Sequence, residues 1–193
     1  MIAHLNGTLI EKTPTNLIIE CGGVGYFVKI SLNTFSKITT ENGKSLKIFT
    51  QLQVREDAHT LFGFYEVQER EMFNHLISVS GIGASTAILM LSALTADEIA
   101  KAIVSEDVGL IKSVKGIGLK TAQRVIVDLM SKMSKMEFSA ENIFSSNNTI
   151  KFEALTALSA LGFDKSKAEK VINKVITDEQ TVEDLIKEAL KIL

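Results

Sequence analysis

Gly81-Ile82-Gly83 recurs 35 residues later as Gly116-Ile117-Gly118, and the residues around the two copies follow one scheme. Leu76, Ile77 and Val79 precede the first copy, and Leu110, Ile111 and Val114 precede the second. Each copy predicts helix, tight turn, helix. In a helix-hairpin-helix the glycines permit the turn, the isoleucine plugs a small core, and the amides that open the second helix face outward. Together with the helix dipole, such amides form a phosphate site. The candidate DNA-binding residues are therefore Gly81, Ile82, Gly83, Ser85 and Thr86 in the first copy. In the second they are Lys115, Gly116, Ile117, Gly118, Lys120, Thr121 and Arg124. Two backbone contacts without base readout suit recognition of DNA structure rather than sequence.

Other glycine motifs fail on inspection. A dinucleotide fingerprint needs a third glycine where this chain has Thr86 or Thr121, and a strand leading in. A P-loop needs glycine where Leu119 precedes Lys120 and Thr121.

Upstream of the repeat the pattern is that of β-structure. Ile2 to Glu11, Asn16 to Cys21, Tyr26 to Ile30, Leu46 to Arg55 and Thr60 to Tyr65 are candidate strands. Turns are marked by Pro14-Thr15, by Gly22, Gly23 and Gly25, and by Asn42-Gly43. In the fourth strand Leu46, Ile48, Thr50, Leu52 and Val54 alternate with Lys47, Gln51, Gln53 and Arg55, with Phe49 an apolar exception, which predicts one buried and one wet face. Five short strands suggest a small closed barrel of the oligonucleotide-binding (OB-fold) type, with Cys21 buried in it.

From Glu66 the period becomes helical. Met72, Phe73, Leu76 and Ile77 form one stripe, and Thr95 with Glu98 a capping box ahead of Ile99 and Ile103. Between Ser134 and Thr149 the pattern lapses into Ser, Asn and Glu, which reads as a linker. Helical spacing resumes with Phe152, Leu155, Leu158 and Leu161, stops at Gly162, and continues with Val171, Ile172, Val175 and Ile176. Thr181 and Asp184 then cap a last stretch carrying Val182, Leu185, Ile186 and Ala189. The expected fold class is α+β multidomain, with an OB-fold barrel over 1–64, an all-α tandem helix-hairpin-helix domain over 65–135, a flexible linker over 136–149 and a three-helix domain over 150–193.

Composition narrows the chemistry. The net charge is -2, so any nucleic-acid contact must use a local patch. Residues 136–193 carry 7 basic against 10 acidic side chains and are the part least suited to it. One cysteine and three scattered histidines (His4, His59, His75) supply neither a disulfide framework nor zinc-site spacing. No cofactor or metal is expected. The apolar runs fall short of the roughly 20 residues of a membrane span, and no signal segment opens the chain, so a cytoplasmic protein is expected.

The order of these motifs resembles the RuvA family, the junction-binding subunits of the bacterial branch-migration machinery. The resemblance is carried by Met1-Ile2 with Leu5 and Gly7, Gly22-Gly23-Val24-Gly25-Tyr26, Val54-Arg55-Glu56-Asp57-Ala58, Gly63-Phe64, both hairpins and Leu161-Gly162-Phe163. It implies a non-catalytic scaffold that holds a four-way (Holliday) junction open in DNA recombination, repair and the SOS response to DNA damage. It implies a homotetramer, or an octamer on DNA, that works with the hexameric ATPase RuvB and the resolvase RuvC. Glu56 and Asp57 would be the acidic pin, carboxylates that repel phosphates at the junction centre and impose an open geometry at a cost in affinity. Leu158, Leu161 and Phe163, in a domain that the resemblance makes UBA-like, would face RuvB.

Ala84, Ser85 and Leu119 depart from the family pattern, and His4 and Asn6 stand where basic residues are frequent. Less positive charge at the DNA face predicts a shallower salt dependence, by about 0.9 in log-log slope per lost phosphate contact. Two other classes share the bare hairpin pattern. A glycosylase or nuclease would need a catalytic Lys or Asp after the hairpin, with Asp128 the nearest acid. In a protein-interaction adaptor the hairpins would be packing alone.

Overall fold

The computed structural model describes residues 1–141, 146–177 and 180–193. Five strands, β1 (His4–Lys12), β2 (Asn16–Cys21), β3 (Val24–Ile30), β4 (Ser45–Val54) and β5 (His59–Phe64), close a barrel in the order β1-β2-β3-β5-β4. All pairings are antiparallel except β3 with β5, where Val28 pairs with Leu61 and Ile30 with Gly63. Leu5, Leu9, Leu17, Ile19, Val28, Ile30, Leu46, Ile48 and Leu61 fill the interior. Gly7 is required by a close approach, because a Cβ there would overlap the Glu20 carbonyl of β2.

Two expectations about the barrel need correction. Alternation in β4 holds for Leu46, Ile48 and Thr50, but Leu52 is half-buried and Val54 is 62% exposed. The β4–β5 ladder outruns the barrel core, pairing Val54 with His59 beyond it, so both faces at its tip are wet. Cys21 is half-buried at the strand end instead of interior, its thiol 3.4 Å from the Asn6 carbonyl.

Helix α1 (Leu32–Lys37) interrupts the barrel between β3 and β4 and was not legible in the sequence. Ser31 caps it, its hydroxyl accepting from the Thr34 amide at 2.9 Å. It joins the barrel to helices α2 (Val67–Ile77) and α3 (Ala84–Ala93). Asn33 Nδ2 donates to the Leu91 and Leu94 carbonyls at 2.7 and 3.1 Å, closing the end of α3. Glu69 of α2 is buried beneath it and accepts from the hydroxyls of Ser31 and Thr34, the latter at 2.6 Å. Burial pushes the Glu69 carboxyl above its ordinary range, a shift that the two hydroxyl bonds partly oppose.

Helices α4 (Ala96–Val104), α5 (Val108–Ser113) and α6 (Leu119–Glu141) complete the middle of the chain. Phe62 and Phe64 of β5 pack on Phe73 of α2, with ring centroids 5.1 and 5.0 Å apart, and enter the helical core. Barrel and helices thus form one compact unit, Met1–Met133. The Thr95–Glu98 capping box is complete, and its backbone hydrogen bond holds the Glu98 carboxyl below the ordinary carboxylate range.

The second unit, Ser134–Leu193, packs α7 (Ser146–Ala160), α8 (Lys165–Val175) and α9 (Val182–Leu190) around Ala154, Leu158, Ala168, Ile172, Leu185 and Ala189. The Phe152 side chain lies outside the described residues. Gly162 ends α7 with φ of 94°, and the Phe163 amide reaches back to the Leu158 carbonyl at 3.1 Å. Only half of the second capping box forms: the Thr181 hydroxyl accepts from the Asp184 amide and donates to the Asp184 carboxylate. The segment read as a linker is helical through Glu141 and again from Ser146; residues 142–145 lie outside the described residues. No described helix is long and apolar enough to cross a membrane.

Candidate nucleic-acid interface

The repeat is a repeat in three dimensions, bond for bond. In hairpin 1, between α2 and α3, the Val79 amide donates to Leu76 at 3.1 Å, Ile82 to Val79 at 3.0 Å, and Ala87 to Gly83 at 2.9 Å. In hairpin 2, between α5 and α6, Val114 donates to Ile111 at 3.4 Å, Ile117 to Val114 at 3.1 Å, and Ala122 to Gly118 at 2.9 Å. Gly81 and Gly116 take left-handed φ of 94° and 91°, a conformation that costs any other residue about 1–2 kcal/mol. Ile82 and Ile117 are buried as plugs beneath the turns. Ser78 and Ser113 each close the helix before the turn by donating to a carbonyl three residues back, both at 2.7 Å. Sequence reasoning passed over these two serines, although they stand at matching places in the two copies.

The second helices of the two hairpins begin at glycine without a side-chain cap; α2 likewise starts uncapped, at Glu66, whereas five other described helices are capped. Helices α1, α4, α5, α8 and α9 start at Ser31, Thr95, Asp107, Asp164 and Thr181, whose side chains take an opening amide. Helix α3 starts at Gly83 with no side-chain cap, and α6 follows Gly118, which has no side chain to offer. Their opening amides are left for another acceptor. Gly81, Gly83, Ser85, Gly116, Gly118 and Lys120 are exposed there, with Thr86 and Thr121 half-buried. Lys115 is exposed beside the second turn. Arg124 is exposed on α6, and one nitrogen of its guanidinium donates to the Ser80 carbonyl of hairpin 1 at 3.3 Å.

The tip of the β4–β5 hairpin presents Glu56 and Asp57, both exposed, on a turn closed by the Arg55 amide donating to the Ala58 carbonyl at 2.9 Å. In the second unit Leu161 is 63% and Phe163 36% exposed, whereas Leu158 is fully buried. The helical face that carries Leu158 is the core face of α7, so this residue holds the unit together and presents nothing to a partner. Asp128 is exposed on α6, and among the described residues no group of His, Cys, Asp or Glu could hold a metal ion.

Family comparisons agree along the whole length. Residues 1–63 match the RuvA N terminal domain, residues 73–131 a SAM-like helix-hairpin-helix tandem, and residues 152–193 the RuvA C-terminal domain. A Holliday junction branch migration complex subunit RuvA from Christiangramia forsetii is 54% identical over 193 residues, covering 99% of both chains. The chain belongs to the RuvA family. Relatives of the same description from Flavobacterium psychrophilum and Bacteroides thetaiotaomicron are 50% and 44% identical, again over 99% of both chains. Of the departures from the family pattern, Ala84 finds a structural account, and nothing in the structure explains Leu119. Ala84 is buried in the helical core, and Leu119 is 50% exposed on the first turn of α6, where it adds no charge.

Proposed function

We propose that the chain is the non-catalytic, DNA-holding subunit of a branch-migration complex, gripping the arms of a four-way junction through its two hairpins. The observation that carries this reading is the pair of matched turns that open α3 and α6 with glycine and leave the amides uncapped. Phosphate oxygens are the acceptors such amides suit, and the DNA backbone supplies them at every step. A homotetramer, or two on one junction, would present these sites to four arms, while Glu56 and Asp57 repel strands at the crossover. A chain of net charge -2 can do this if its cations converge on one face. Leu161 and Phe163 would dock the hexameric motor RuvB, which hydrolyses ATP, and the resolvase RuvC would act on the same junction.

Binding to a synthetic four-way junction is to be measured against a linear duplex of equal length at two salt concentrations, with the oligomeric state checked in the same buffer. A junction preference that persists as salt rises is expected. Equal, weak binding to both would overturn the reading.

A further inference from the structure

The two turns share a backbone and differ in what holds them. Arg124 Nη1 donates to the Ser80 carbonyl, one residue before Gly81, at 3.3 Å. Lys132 Nζ donates to the Ser78 hydroxyl at 3.3 Å, and that hydroxyl donates to the His75 carbonyl at 2.7 Å. Two cations of α6 therefore grip hairpin 1 on its approach to the first glycine. Hairpin 2 has the matching hydroxyl bond, Ser113 to Leu110 at 2.7 Å. Among the described residues, however, no cation donates to Ser113, and no side chain donates to the carbonyl of Lys115. The repeat accounts for the difference: the place in α3 that corresponds to Arg124 holds Leu89, which is 53% exposed and has no donor.

We propose that Arg124 and Lys132 are positioning residues that stiffen the turn of hairpin 1, so that the two phosphate sites share a shape and differ in rigidity. Hairpin 1 then meets a phosphate already ordered, and hairpin 2 pays the ordering cost on contact. The consequence for DNA rests on the proposed function; the difference in stiffness does not.

Amide exchange in the free, full-length protein reads that stiffness with an internal control, because Val79 and Ile82 donate to carbonyls equivalent to those used by Val114 and Ile117. Val79 and Ile82 are expected to exchange more slowly than their counterparts. Both cations are exposed, so Arg124→Ala with Lys132→Met leaves the core intact; it should speed the first pair about threefold or more, the scale of one exposed hydrogen bond, and leave the second pair unchanged. Equal rates in the wild-type turns, or a variant that speeds Ile117 as much as Ile82, overturns the proposal. Junction binding supplies a second test through double-mutant cycles of Arg124→Ala with Ser85→Ala in hairpin 1 and with Lys120→Ala on α6 itself. Coupling to Ser85 without coupling to Lys120 is expected, and the reverse pattern would make Arg124 a phosphate ligand. If the wild type binds no junction, the functional reading falls and the exchange result stands.

Discussion

Alanine at the hairpin glycines separates folding from binding. At Gly81 and Gly116 an added Cβ would meet nothing within 4 Å, so the cost of alanine is the left-handed backbone alone, at φ of 94° and 91°. That is about 1–2 kcal/mol per site. At Gly83, φ is -87° and ψ 167°, extended values open to any residue, and an added Cβ again meets nothing. There the weaker N-cap preference for alanine costs about 0.5–1 kcal/mol. A loss of unfolded-state entropy of about 0.4–1 kcal/mol offsets it, which leaves Gly83→Ala within about 0.5 kcal/mol of wild type. On the proposed function, the same methyl would stand where a phosphate approaches the α3 amides. Loss of one hydrogen bond to a charged group, about 1.5–3 kcal/mol, weakens junction binding roughly tenfold or more. Urea midpoints and fluorescence anisotropy on a labelled junction measure the two effects in one buffer. A Gly83→Ala protein that binds the junction like wild type would refute phosphate binding at these amides, and a Gly81→Ala protein of unchanged midpoint would refute the conformational argument.

Three further outcomes are expected. Glu69→Ala leaves the buried Ser31 and Thr34 hydroxyls without their acceptor and should cost about 2–4 kcal/mol; with Gln, which keeps one acceptor, the cost should be smaller. Because burial raises the Glu69 pKa in the folded state, its contribution is most favourable below the unfolded value and declines as pH rises through the folded one. Urea melts should therefore show the wild type losing ground to Glu69→Gln as pH rises, and a trend of opposite sign would sink the argument. Neutralising Glu56 and Asp57 together should keep or strengthen junction binding while altering strand separation, read by a fluorescent base at the crossover; equal loss of junction and duplex binding would contradict the pin. Leu158→Ala, in the core of the second unit, should destabilise that unit by about 2–5 kcal/mol, whereas Leu161→Ala with Phe163→Ala should leave its melt unchanged and abolish stimulation of the motor's ATPase. Motor stimulation that survives the double variant would remove those two residues from the docking surface.

The parts of this protein legible in the sequence are those whose cause is local. A turn that needs left-handed φ selects Gly81 and Gly116 whatever surrounds it, and Thr95 finds Glu98 three residues along the same helix. Strand alternation in β4 was legible only as far as the barrel wall reaches, up to Thr50. The remainder depended on partners distant in the chain. Glu69 sits in a run of charges that reads as a solvated helix face, and it is buried because Ser31 and Thr34, some 35 residues earlier, bring two hydroxyls to it. Helix α1 is six residues long, too short for Leu32 and Phe35 to read as an apolar period; its polar groups meet the end of α3 and the carboxylate of α2. Arg124 reads as one more cation at a DNA face until packing sets its guanidinium against a carbonyl 44 positions away. Backbone conformation and capping are settled within a few residues and are written in the sequence, while burial and the pairing of charged groups depend on which surfaces the folded chain brings together.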